Sequence, residues 1–249
     1  MSLNLTNWKN SYGLVSGPTL HIGASLVQER YQYELNKMEP VLWVEALHKI
    51  AEQAQLLLTK FSNQKLIQAV VSDFSGKSVV MNYSSNNGES SSLLEFKFHS
   101  LLYPDITFET TQVCISTTVD DLVKKHFPVD SISLLVLDVQ GAELSVLKGA
   151  LNTLEVVQFI FTEVSTVQMY KDQPLFKDIS KFLDGFDFCL IEHNLRNRTF
   201  HGNALYTKKE LSIASGVKTH NTPRNGNLYF LFLVYFRRLR TYLKKIPNI

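Results

Sequence analysis

The chain has 249 residues, 45% hydrophobic and 19% charged, which suits one globular domain with an appendage and a core that needs no disulfide staples. Its two cysteines, Cys114 and Cys189, lie far apart in apolar segments, so a reducing compartment is expected and a disulfide framework is not. The net charge of +2 divides into +7 after Glu210, where no acid occurs, and −5 before it, an acidic body that argues against a nucleic-acid-binding core.

The opening MSLNLTNWKNSYGL carries no long apolar run, so no secretory leader is expected. Residues 19–22 predict a first strand, closed by Gly23, and residues 25–37 a helix. A second strand is expected at 41–44, ending on Glu45, followed by a helix at 47–60. Residues 66–71 read as a third strand closed by Ser72 and Asp73. The Ser/Asn/Gly-rich stretch 84–92 reads as a loop. Residues 118–125 predict a helix with Asp120 and Asp121 in its first turn, where negative charge is favoured. A fourth strand at 132–137 ends on Asp138, a helix follows at 144–154, and a fifth strand at 157–161 ends near Glu163. Residues 176–183 predict a last helix, stopped by Gly185. Residues 186–191 and 203–207 predict a closing antiparallel pair.

Short apolar runs alternating with helices are the signature of βαβ units. Continuous apolar strands imply a sheet covered on both faces, and such sheets bind ligands at the carboxyl ends of their strands. Gly23, Glu45, Asp73, Asp138 and Glu163 all fall at predicted strand ends, hence on one rim. Gly23-Ala24 permits a tight turn and close backbone approach to a ligand. Glu45 follows 22 residues later, the interval at which nucleotide folds place a ribose-binding acid; a solvated loop glutamate is the alternative. The later glycines of a Gly-x-Gly-x-x-Gly loop are replaced by Ser25 and Gln28, which weighs against a dinucleotide pyrophosphate at the helix start. Ser72-Asp73 can meet an adenine amino group or simply form a turn. Asp138 directly after four apolar residues is not expected in the core, because unpaired buried charge is costly. Glu143 falls in a helix first turn, where it complements the dipole. His21, His99, His193 and His201 are candidates for a base, and nothing in the sequence singles one out. No Cys/His cluster of metal-ligand spacing is present, so no metal is expected.

The segment LLVLDVQGAELSVLKGA resembles the signature of FkbM-like methyltransferases. HIGAS, VLWVEA, AVVSDFSG, the SSLL segment with His99 and Tyr103-Pro104, TTVDDL, FTEVS and GNALY agree in the same order, so the resemblance spans about residues 19–207. It implies a Rossmann-like doubly wound α/β fold with a mostly parallel sheet, S-adenosylmethionine as cofactor, and O-methyl transfer, often to a sugar hydroxyl. By position it implies cofactor contacts from His21, Gly23 and Ala24 (methionine portion), Glu45 and Ala46 (ribose), Ser72 and Asp73 (adenine side), and Asp138 (near the sulfonium). Asp138 and Glu163 become the first and second catalytic candidates. The opening departs from similar sequences at Ser25, Val27 and Gln28. Two rivals remain: a non-catalytic binding domain of the same fold, and a nicotinamide-dependent oxidoreductase.

The expected organisation is a methyltransferase domain at 1–210, a linker at 211–227, and an apolar, basic amphipathic tail at 228–249. In that tail Leu228–Phe236 runs straight into Arg237, Arg238 and Arg240. The run is too short to span a bilayer but suits an interfacial anchor; a final core element is the alternative. The expected location is cytoplasmic, with peripheral contact on the inner face of the cell membrane through residues 228–245.

Overall fold

A computed structural model describes residues 3–195, 200–223, 226, 230 and 234. The elements, in chain order, are α1 (Leu5–Tyr12), β1 (Thr19–Ile22), α2 (Arg30–Leu35), β2 (Val41–Glu45), α3 (His48–Leu57), β3 (Gln64–Gln68), β4 (Val70–Val71), β5 (Ser78–Ser84), α4 (His99–Leu102), β6 (Phe108–Thr117), α5 (Val119–His126), β7 (Ile132–Leu137), α6 (Glu143–Lys148), α7 (Leu151–Val156), β8 (Val157–Ser165), α8 (Phe176–Asp184), β9 (Phe188–His193), β10 (His201–Lys208) and α9 (Lys209–Ala214).

Seven strands form the main sheet in the order β3-β2-β1-β7-β8-β10-β9. β3, β2, β1, β7 and β8 pair in parallel, and β10 runs antiparallel to both of its neighbours. This is the expected doubly wound α/β fold with its closing antiparallel pair. Every residue of β1, β2 and β7 is buried, because helices cover both faces. Alternate residues feed two cores. Leu20, Ile22, Leu42, Val44, Leu135 and Leu137 pack on one face; Val41, Trp43, Leu134 and Val136 pack on the other. The chain order reverses between β1 and β7, and the crevice outside that switch point is where open α/β sheets bind ligands.

Three expectations are corrected. The third strand, expected as one run over 66–71, is two: β3 stays in the main sheet, while β4 pairs with β6. With β5 they form a second sheet, ordered β4-β6-β5. The helix expected at 25–37 begins only at Arg30, because Ser25 and Val27 hold positive φ values of 46° and 48°, which a right-handed helix excludes. The helix expected at 144–154 breaks between α6 and α7 around Gly149. A Cβ there would lie 2.3 Å from the Ser72 carbonyl oxygen, so the break lets this chain segment pack against the end of β4.

Candidate active site

The site is built from strand ends. After β1 the chain turns at Gly23, whose N–H, like that of Ala24, donates to the Val44 carbonyl at 2.9 and 3.0 Å. Gly23 has φ +87°, and a Cβ would stand 1.9 Å from the Asp138 carbonyl oxygen. Only glycine lets the β1 and β7 ends meet so closely. Glu45 ends β2 with its carboxylate buried. Its Oε2 accepts the Ser25 N–H at 2.8 Å and its Oε1 the Leu47 N–H at 2.9 Å. Burial raises its pKa and these backbone donors oppose the rise.

Between these turns lies a cavity of about 430 Å³. His21, Gly23, Ala24, Glu45, Ala46 and Asp138 all line it. Ser72, Asp73 and Glu163 are not among its lining residues. Ser72 Oγ and Ser145 Oγ both donate to Asp73 Oδ1, at 3.0 and 3.2 Å, so a local network engages that carboxylate. The wall nearby is apolar, from Ala69, Val70, Val71 and Met81, and the stretch expected only as a loop contributes Asn87, Gly88, Glu89 and Ser91. His21 is buried, stacked on Trp43 at 4.6 Å, with Nδ1 2.9 Å from the Tyr33 hydroxyl. Burial lowers its pKa to about 3, so it is neutral and structural at physiological pH.

Beyond Asp138 the rim brings Asp138 and Glu163 together, as expected, and adds Glu143 and a hydrogen-bond link through Gln140 that the sequence did not indicate. Gln140, at φ +53°, donates its side-chain N–H to Asp138 Oδ1 at 2.7 Å and to Glu163 Oε2 at 3.4 Å. Its own amide oxygen accepts the Tyr170 hydroxyl at 2.9 Å. Glu143 is buried and accepts the Val139 and Gly141 N–H groups at 3.2 and 3.1 Å; burial, with Glu163 nearby, raises its pKa. Glu143 thus shapes the turn from inside, a role beyond the dipole placement expected for it. Half-buried Asp138 has its carboxyl pushed up to about 7, by burial first and Glu163 second. Glu163 Oε1 faces His201 Nδ1 at 3.4 Å, and that contact raises the His201 pKa. His99, the other histidine near this rim, is buried and stacked on Phe96 at 4.1 Å. Burial lowers its pKa to about 4.

The cavity fits the implied cofactor. Its size lies in the range of small-molecule sites. Glu45 offers two acceptor oxygens for ribose hydroxyls, the apolar wall suits a purine, and Glu29 and Asp138 on the lining favour a ligand bearing positive charge. The pyrophosphate of a nicotinamide dinucleotide would meet these acids at the place where it needs donors.

A family model described as the methyltransferase FkbM domain matches residues 21–196. The 2-O-methyltransferase NoeI of Sinorhizobium fredii (strain NBRC 101917 / NGR234) is 28% identical over 131 residues, 49% of this chain and 52% of that protein. The chain therefore spans about half the length of this curated relative. Among solved structures, magnesium protoporphyrin IX methyltransferase (ChlM) from Synechocystis PCC 6803 with bound SAM matches at TM-score 0.44 and 10% identity, covering 82% of this chain and 74% of that one. M. capricolum TrmK in complex with S-adenosyl-homocysteine matches at TM-score 0.47 and 11% identity, covering 100% and 89%. The family match runs from the first turn of the cavity to beyond the second catalytic candidate, and the chain belongs to the FkbM methyltransferase family, which uses S-adenosylmethionine.

Proposed function

We propose that this protein is an S-adenosylmethionine-dependent O-methyltransferase whose acceptor is a sugar hydroxyl of a glycan or glycan precursor. The observation that carries the reading is the meeting of Gly23, Glu45 and Asp138 around one cavity at the sheet's switch point. The bound cofactor supplies a methyl group made electrophilic by its sulfonium. Glu45 holds the ribose while also fixing the turn at Ser25. Asp138 stands beside the sulfonium as an electrostatic partner. Glu163 serves the acceptor side of the rim, one Gln140 amide away. Ser72 and Asp73 act on the adenine side through the backbone that ends β4. Held in line, the two reactants gain most of their rate from positioning.

Methyl transfer to oxygen is supported by the likeness to the 2-O-methyltransferase NoeI, and a neutral acceptor such as a sugar by the carboxylates behind the rim, which disfavour an anionic one. The catalytic domain runs past residue 210, the end expected for it, because α9 crosses that boundary and Leu211 and Val217 of the expected 211–227 linker pack against the core. The tail, 228–249, contacts the inner face of the cell membrane through its basic residues. Apart from Phe230 and Val234, that tail lies outside the described residues. Phe230 is fully buried and joins a cluster with Val167, Met169, Tyr170, Phe200 and Val234, which ties the start of the tail to the catalytic body. Mass spectrometry of host glycans with and without the protein tests the reading. A single added methyl group, about 14 Da, that depends on the intact Glu45 side chain supports it; identical glycan masses contradict it.

A further inference from the structure

Three features belong together at the edge of the cofactor cavity, which Gln140 itself lines. Glu163 and His201 sit on adjacent antiparallel strands, with Glu163 opposite Asn203 in the β8–β10 register. His201 is two residues from Asn203 and is therefore the diagonal, same-face neighbour of Glu163. Their Oε1 to Nδ1 separation is 3.4 Å. The second feature is the orientation of Gln140. Its amide oxygen is taken by the Tyr170 hydroxyl, so its N–H group must face the carboxylates. That occupies Glu163 Oε2 and leaves Oε1 for the imidazole. The third is exposure: the His201 side chain is 40% exposed and Glu163 22%, whereas His21 and His99 are buried.

We infer that His201, oriented by Glu163, is the general base that accepts the proton of an uncharged acceptor hydroxyl. The inference rests on the methyltransferase reading. With Nδ1–H donating to Glu163, the lone pair lies on Nε2, the nitrogen that points away from the carboxylate. His201 Nε2 takes the hydroxyl proton as the acceptor oxygen bonds to the transferred methyl carbon. The carbon–sulfur bond breaks with its electron pair remaining on sulfur, and the proton then leaves His201 for solvent. The charged groups facing His201 are Glu163 and Asp138, with His99 on the neighbouring α4. The two acids stabilise the imidazolium that forms. Glu163, the carboxylate paired with the imidazole, disfavours a phosphorylated or carboxylated acceptor, so the subsite selects a neutral polyol. Glu163 is a positioning residue on this reading, and Asp138 keeps its place beside the sulfonium.

The test uses the full chain with S-adenosylmethionine and methyl glycosides bearing free vicinal hydroxyls, following S-adenosylhomocysteine release. His201→Ala and His201→Gln are expected to lose roughly 100- to 10,000-fold in kcat, the value of a general base, with calorimetric affinity for S-adenosylmethionine unchanged. Added imidazole should restore part of the His201→Ala rate. A separate reading needs no turnover: in Glu163→Gln the NMR titration of His201 should move to lower pH, and the acid limb of kcat should move with it. Retention of turnover within about threefold in both His201 variants, or an unmoved His201 titration in Glu163→Gln, would overturn the inference. So would tight S-adenosylmethionine binding with no glycoside methylated. Failure of the wild-type chain to bind S-adenosylmethionine at all would instead sink the methyltransferase reading beneath it.

Discussion

At the scale of single residues, the cavity depends on contacts that leave little tolerance. A methyl group on Gly23 meets backbone, not a side chain that can swing away, and the positive φ adds strain for any L-residue. Gly23→Ala should therefore destabilise the fold by at least about 2 kcal/mol, read as a lower denaturant midpoint at unchanged slope. Asp138 gives a pH signature. Its folded value of about 7 lies above the ordinary 3.8, so its favourable contribution is complete below pH 4 and is lost as pH rises through 7. Asp138→Asn has no such loss. Its Tm relative to wild type should climb across that window, even as turnover falls; a flat Tm difference would place Asp138 in water.

Which residues the sequence reveals follows from the same chemistry. Gly23, Glu45 and Asp138 are legible because each ends an apolar strand, where a polar residue has no packing role. Gln140, Tyr170 and His201 are not, because their hydrogen bonds join the β7–α6 turn, the segment after β8 and the start of β10. Gln140 lies inside the LLVLDVQGAELSVLKGA segment and His201 is one of four candidate histidines, but nothing in the local sequence says that they meet. Only the unusual φ of Gln140 hints at a functional constraint, and φ is invisible in sequence. Asp73 shows the converse: its position after a strand suggests the adenine side, yet Ser72 and Ser145 engage its carboxylate.

At the scale of elements, the buried strands were readable and the exposed ones were not. β1, β2 and β7 are continuous apolar runs because both faces are covered. β6 reads FETTQVCIST, with most residues exposed, so it has neither the run nor the alternation that marks a strand. The same residue types should accordingly respond differently to mutation. Val113→Thr and Ile115→Thr, at 68% and 63% exposure, should shift stability by no more than about 0.5 kcal/mol. Leu135→Ala, at 0%, should cost roughly 2–5 kcal/mol. Urea unfolding of the three variants checks this contrast, and equal effects would mean that the second sheet is packed against something.

At the scale of the whole molecule, the packing of the tail and its charge predict different effects. Phe230 is fully buried against the rim cluster, so Phe230→Ala should lower stability by roughly 3–5 kcal/mol. We propose that the basic residues that follow act on location, and liposome binding tests it. Replacing Arg237, Arg238 and Arg240 by Glu should abolish co-sedimentation with anionic liposomes, an attraction worth about 1 kcal/mol per charge and weakened by salt. Affinity for S-adenosylmethionine should not change.

The claim on which the rest depends is that the cavity between Gly23, Glu45 and Asp138 holds S-adenosylmethionine. Calorimetric titration of the full chain, wild type beside Glu45→Ala, tests it most directly. One-to-one binding by the wild type is expected, weakened in the variant by the value of a charge-assisted hydrogen bond, roughly 1.5–3 kcal/mol or about 10- to 150-fold, with no heat from NAD in either. Equal affinities in two folded proteins, or binding of NAD in preference to S-adenosylmethionine, would contradict the assignment.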